Sequence, residues 1–179
     1  MVASTSPTPT PARPVAAAVP SPCERSSVGI WREITALSLL METSQDSLFE
    51  QAMAQYQAGA AAEEVLPDFA RIVEAAPRQS AGWTCLAWLQ LLCDQPEEAL
   101  RSARFAVRLN GQDPQARINL SLALLETQSK GVRDHIQVVQ QVMTLAPEVS
   151  AELKASIADG LERKPGWKAL EKVKAWLEL

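Results

Sequence analysis

Histidine, cysteine and recognisable catalytic motifs are scarce in this 179-residue chain. It has one histidine, His135, and three cysteines, Cys23, Cys85 and Cys93, which show no paired metal-ligand spacing. No glycine-rich phosphate loop, HExxH motif or activated nucleophile stands in the sequence. We therefore predict that the protein is not an enzyme and binds neither a metal nor a cofactor.

Long apolar runs and an excess of positive charge are also missing. The 17 basic residues are outnumbered by 21 acidic ones, for a formal net charge of -4, which argues against nucleic acid and anionic membranes as partners. The longest run without charge, near Gly82 to Cys93, falls well short of the ~20 residues that span a bilayer. No membrane insertion is expected.

The N-terminal region is unlike the rest of the chain. Residues 1–27 are rich in Pro, Ser, Thr and Ala, a composition that blocks helix and sheet, and we predict a disordered tail. Because residues 1–23 contain one base and no acid, they also fit an organelle transit peptide. Residues 28–45 then predict a helix, with Ile30, Ile34 and Leu37 on one face.

The main feature that is present is a repeat with a period of 34 residues. Phe49 aligns with Trp83, and Ala52 aligns with Leu86. This length suits a helical hairpin, which must stack on its neighbours to bury its apolar faces. The sequence therefore predicts an all-α solenoid.

These residues resemble the tetratricopeptide repeat (TPR) family. The resemblance implies three TPR-like hairpins at 46–79, 80–113 and 114–147. The matching positions in the first two are Phe49, Ala52, Tyr56, Phe69 and Pro77, and then Trp83, Leu86, Ala87, Ala99 and Ala106. The third hairpin has Leu120, Ser121 and Leu124 in place but ends two residues late, so we expect a lengthened turn at 129–131. Residues 148–179 predict a capping helix pair.

Two acidic residues stand just ahead of helix-starting prolines. Asp94 precedes Pro96 and Asp113 precedes Pro114. A carboxylate can accept hydrogen bonds from the first free N–H groups of a helix, and proline is tolerated at its first position. We expect both aspartates to cap the helices that follow.

The resemblance implies that the first helix of each hairpin lines a protein-binding groove. The predicted groove residues are Thr84, Trp88, Leu91, Ile118, Asn119, Leu122 and Leu125. Family members that clamp chaperone C-terminal tails use Lys, Arg and Asn here, whereas this chain offers only Asn119, so that ligand is disfavoured. An apolar helical or extended segment of another protein is the expected ligand. The alternative is that the chain's own terminal helices fill the groove.

A second candidate contact is a basic stripe. Arg101, Arg104 and Arg108 recur at helical spacing, which fits either a solvated face or a contact for an acidic partner.

We predict a cytoplasmic adaptor or assembly factor that acts by protein–protein interaction. The alternative is a fixed structural or regulatory subunit of a larger complex, such as a photosynthetic or membrane-associated one. If residues 1–23 are a transit peptide, the location would be an organelle stroma instead.

Overall fold

The computed structural model describes residues 47–179, which belong to one compact unit. The predicted tail, transit peptide and N-terminal helix at 28–45 lie outside these residues. Within residues 47–179 every regular element is a helix. In chain order they are α1 (47–57), α2 (Ala62–Ala75), α3 (Ser80–Leu92), α4 (Pro96–Leu109), α5 (Pro114–Glu126), α6 (Val132–Leu145), α7 (Pro147–Arg163) and α8 (Lys168–Trp176).

Helices α1 to α6 form three consecutive hairpins, as the 34-residue period predicts. Helix α3 begins at Ser80 and α5 at Pro114, one repeat length apart. Helix α3 packs against α2, α4 and α5. Because α3 and α5 have neighbours on several sides, most of their residues are buried, as expected for helices that are apolar all round.

The turns that end α3 and α5 repeat the same geometry. Asp94 and Gln128 both have positive φ, 56° and 53°. The next residue in each case donates its N–H back to a carbonyl five residues earlier, Gln95 to Gln90 and Ser129 to Leu124, both at 2.8 Å. This is the Schellman ending, which satisfies carbonyls left free at the helix terminus. The turn after α5 is longer than the turn after α3, as expected.

The predicted caps divide into one that is confirmed and one that is wrong. The Asp113 carboxylate accepts hydrogen bonds from the N–H groups of Gln115 (2.9 Å) and Ala116 (3.2 Å) at the start of α5. Asp94 does not cap α4, which begins after Gln95 without a side-chain cap. The left-handed backbone at Asp94 belongs to the ending of α3, and its carboxylate pairs with Lys164.

The C-terminal helices α7 and α8 form the pair that the sequence predicts after the third hairpin. Leu153 and Ile157 of α7, and Leu170 and Val173 of α8, are buried in the main core. Helix α8 packs on α5, and α7 packs on α6 and α8. The pair therefore adds to the core of the repeat array.

Candidate functional site

A pocket of about 490 Å³ lies between α1, α2, α3 and α5 on one side and α7 on the other. Its size falls in the range of natural ligand pockets. The apolar part of its lining comes mainly from Met53, Phe69, Cys85, Trp88 and Leu89. Three of the seven predicted groove residues, Thr84, Trp88 and Asn119, also line it.

Trp88 lies at the contact between the repeat array and the C-terminal helices. Its indole Nε1 donates a hydrogen bond to the Tyr56 hydroxyl at 2.8 Å. Its ring lies 5.7 Å from that of Trp167, centroid to centroid, and α7 approaches it at Gly160. Only 7% of Trp88 is exposed, because helices of its own chain cover most of the ring.

Tyr56, Asp159 and Arg163 form a polar network at the edge of the pocket. The Tyr56 hydroxyl donates to the Asp159 carboxylate. Burial, followed by the hydrogen bond to Asp159, raises the pKa of Tyr56 well above its usual value. The phenol therefore stays protonated and acts as a donor to Asp159 while accepting from Trp88.

Arg163 ties α7 to the end of α1. It donates to Asp159 at 2.8 Å and to the main-chain carbonyls of Ala60 and Tyr56, both at 2.9 Å. Its guanidinium also lies 3.9 Å from the centre of the Tyr56 ring. Three of its five N–H donors are thus used within the protein, and Asp159 balances its charge, so Arg163 is a weaker anchor for a ligand carboxylate than an unpaired arginine would be.

Asn119 is also fully engaged. Its amide donates to the Thr84 carbonyl at 2.8 Å and accepts from the Gln115 amide at 2.9 Å. Because Asn119 is completely buried, these bonds satisfy a side chain that would otherwise be costly to bury. Asn119 thus joins α3 to α5.

The remaining predicted groove residues are not an open surface, and the groove prediction needs correction there. Leu91, Ile118 and Leu122 are almost completely buried in the same core as residues of α7 and α8, and Leu125 is partly buried against it. The C-terminal helix pair covers this part of the surface formed by the first helices of the hairpins, which we call the inner face of the array. At these positions the chain's own C-terminal helices occupy the predicted groove. The pocket beside Trp88 is the part that they leave open.

Side chains near the join between α7 and α8 hold the pair in place. Lys164 donates to the Leu91 carbonyl at 3.0 Å, and the Trp167 indole donates to the Glu126 carboxylate at 2.6 Å. Sequence reasoning did not single out Tyr56, Asp159 or Arg163 as site residues. Asp159 and Arg163 at i and i+4 of α7 were the available signal, but spacing alone does not say which face of α7 meets the array.

The predicted basic stripe lies away from the pocket. Arg101, Arg104 and Arg108 are all exposed on α4. Arg101 pairs with Glu98 at 2.8 Å.

His135 lies on α6, outside the pocket. The Arg117 guanidinium stands 3.0 Å from its Nδ1. Burial, and then the positive charge of Arg117, lowers the pKa of His135. Since a guanidinium can only donate, the imidazole is held neutral as an acceptor.

Residues 47–179 contain no group of three or more His, Cys, Asp or Glu side chains placed to hold a metal ion. In the same part of the chain no helix is both long and apolar enough to cross a membrane.

No family model matches the sequence, and no curated protein matches it. Among solved structures, the chain is similar to the type III secretion translocator chaperone SycD of Yersinia enterocolitica, at 18% identity and a TM-score of 0.58 over 77% of this chain and 88% of that one. A second SycD structure, an alternative dimer, gives 18% identity and a TM-score of 0.55 over 76% and 96%. The first TPR of Spaghetti (RPAP3), bound to an HSP90 peptide, gives 16% and 0.44 over 75% and 94%.

At these identities the similarity concerns the fold alone. It agrees with the stacked helical hairpins described above. The chain has the fold of a TPR-like helical solenoid.

Proposed function

We propose that this protein is a non-catalytic adaptor or assembly factor that holds an apolar segment of another protein in the pocket beside Trp88. The observation that carries the proposal is the lining of that pocket, where Met53, Phe69, Trp88 and Leu89 present apolar surface to a cavity of about 490 Å³. Apolar pockets with a few placed polar groups are the usual form of binding sites. An extended or helical segment would insert one or two apolar side chains.

The polar groups at the edge support an apolar ligand over an acidic one. Arg163 is the basic residue among those lining the pocket. Asp159 already balances its charge, and two more of its five donors bind main-chain carbonyls. Asn119 is committed to Thr84 and Gln115. A carboxylate-terminated chaperone tail would have to compete with these partners, so it remains a disfavoured ligand.

One of the structural neighbours, SycD, is described as a translocator chaperone. A chaperone binds another protein, which is consistent with the function that we propose. From that role we transfer to this chain only the general class, protein binding. We assign the activity to the cytoplasm, with an organelle stroma as the alternative if residues 1–23 are a transit peptide.

A blocking substitution at the mouth of the pocket tests the proposal. Ala155 lines the pocket from α7 and is exposed, so Ala155→Trp would fill the cavity without entering the core. Ala151→Trp, one turn earlier on an exposed position outside the pocket lining, is the matched control. Both variants should melt like the unmodified chain.

The three proteins would be used for affinity capture, and a peptide from each captured partner would be titrated by fluorescence anisotropy. We expect one partner peptide to bind the unmodified chain and Ala151→Trp equally, and to bind Ala155→Trp at least tenfold more weakly. Equal binding to all three proteins would show that the pocket is not the site.

A fixed subunit of a larger complex is the second candidate. It is favoured by apolar side chains exposed away from the pocket, with Leu145 85% and Trp176 44% exposed. Co-purification with one complex, abolished by Leu145→Ser with Trp176→Ser and unaffected by Ala155→Trp, would support this role in place of the adaptor.

A further inference from the structure

Helix α4 carries two large apolar side chains on its exposed face. Phe105 is 41% exposed and Leu109 is 39% exposed. They stand four residues apart, so they lie one above the other on the same side of the helix. Neither belongs to the pocket beside Trp88.

Phe105 is held in place by two neighbours although it faces solvent. The Trp83 ring stacks on it with centroids 4.9 Å apart and planes 23° apart. The Trp83 indole in turn donates to the Pro77 carbonyl at 2.9 Å. The Arg108 guanidinium lies 4.1 Å from the centre of the Phe105 ring, in a cation–π contact. An ordered aromatic surface costs less entropy on binding than a mobile one.

Two guanidinium groups beside this surface have no carboxylate partner among residues 47–179. Arg101 is paired with Glu98, whereas neither Arg104 nor Arg108 forms a salt bridge in that part of the chain. An arginine side chain is always charged and presents several donors that match a carboxylate. We call Trp83, Arg104, Phe105, Arg108 and Leu109 the arginine–aromatic patch.

We propose that the arginine–aromatic patch is a second docking site, which takes an acidic segment of a partner protein bearing an aromatic or aliphatic side chain. The carboxylates would pair with Arg104 and Arg108, and the apolar side chain would rest on Phe105 and Leu109. Charge complementarity carries this choice of occupant. None of the five patch residues lines the pocket beside Trp88, so the two sites can be tested independently.

A single-stranded nucleic acid could also use arginines beside aromatic rings. The net charge of the protein is -4, and Glu97 and Glu98 stand in the first turn of the same helix. These negative charges weigh more against a nucleic acid, which is charged at every phosphate, than against a peptide that needs carboxylates only at Arg104 and Arg108. A polyphosphate chain would meet these carboxylates as well as the arginines.

The test uses the full-length chain on an array of synthetic 12-residue peptides, each with glutamates around one Phe, Trp or Leu at varied positions. Counterparts carry lysine in place of glutamate, or alanine in place of the apolar residue. We expect the acidic peptides with an apolar anchor to be retained over both counterparts. Fluorescence anisotropy with the best peptide should show affinity at least tenfold weaker for Arg104→Glu with Arg108→Glu, and at least threefold weaker for Phe105→Ala.

The matched control is Arg78→Glu with Lys154→Glu, which changes the net charge equally at two exposed positions elsewhere. It should bind the peptide nearly as well as the unmodified chain. The proposal would be overturned if the chain retained acidic and lysine peptides equally. It would also be overturned if the control variant lost as much affinity as Arg104→Glu with Arg108→Glu. Tighter binding to a single-stranded RNA oligonucleotide, or self-association of the chain that Arg104→Glu with Arg108→Glu abolishes, would overturn it as well.

Discussion

At the scale of single residues, Gly160 decides how closely α7 can approach the repeat array. A Cβ atom added there would lie 2.6 Å from the Trp88 ring and 2.7 Å from a Leu170 methyl group. Real carbon atoms do not pack at such distances, so the absence of a side chain lets the helix sit directly on the indole. Gly160 is therefore a packing residue, although it lies within a helix where glycine is intrinsically unfavourable.

Gly160→Ala should accordingly destabilise the protein. Alanine would gain up to ~1 kcal/mol in helix propensity, but overpacking typically costs about 1–3 kcal/mol. The Trp88 ring cannot shift freely because it is held by its hydrogen bond to Tyr56 and its contact with Trp167. We expect a net loss of about 1–2 kcal/mol in the free energy of unfolding, measured by chemical denaturation.

Gly111→Ala is the control, because its added Cβ would meet its nearest atom at an ordinary 3.5 Å. That change should leave stability within about 0.5 kcal/mol. Higher stability of Gly160→Ala would mean that α7 does not pack tightly on Trp88.

At the scale of helices and turns, the repeated Schellman ending places non-glycine residues in a left-handed conformation. Gln128, at φ 53°, is exposed, and its side chain makes no described contact. A residue with a Cβ pays roughly 1–2 kcal/mol for this conformation, whereas glycine adopts it freely.

Gln128→Gly should therefore stabilise the protein by about 0.5–1 kcal/mol, part of the gain being offset by the greater freedom of glycine in the unfolded chain. Lys130→Gly, two residues on and without positive φ, should give no gain. Equal effects of the two changes in denaturant unfolding would contradict this account of the turn.

The helices themselves were largely predictable, because the 34-residue period, Asp113 before Pro114 and the apolar stripes of α7 and α8 are local signals. The covering of the inner face of the array by α7 and α8 was not predictable in this way. Helices α3 and α5 have apolar residues on all sides, so no stripe marks the face that α7 meets. The contacts that dock α7 join residues far apart in the chain, such as Arg163 and the Tyr56 carbonyl. Gly160 carries no sequence signal for its proximity to Trp88.

At the scale of the whole molecule, the C-terminal helix pair completes the core. Leu91, Ile118 and Leu122 are buried in one cluster with Leu170 and Val173. A repeat array needs such an end cap, because each hairpin leaves an apolar face for its neighbour.

Deleting residues 147–179 should therefore expose this surface. Burying each large aliphatic side chain contributes about 1.5–3 kcal/mol, so uncovering several would remove roughly 5 kcal/mol or more, comparable to the whole stability of a small domain. We expect the shortened chain to melt at a lower temperature, bind a hydrophobic dye and self-associate in light scattering.

Removal of residues 1–27, the predicted tail, is the control for shortening the chain and should change none of these readings. If the chain without residues 147–179 stayed monomeric and melted at the same temperature, α7 and α8 would not be needed for the stability of the core.

The way in which α7 is attached affects which side chains of this protein can change during evolution. Arg163 and Lys164 bond to the main-chain carbonyls of Ala60, Tyr56 and Leu91, and a carbonyl is present whatever side chain its residue carries. These three acceptors would therefore remain even where the side chain of such a residue is replaced. Side chains that line the pocket without taking part in this attachment, such as Met53, Cys85 and Leu89, can therefore change while the covering helix keeps its place.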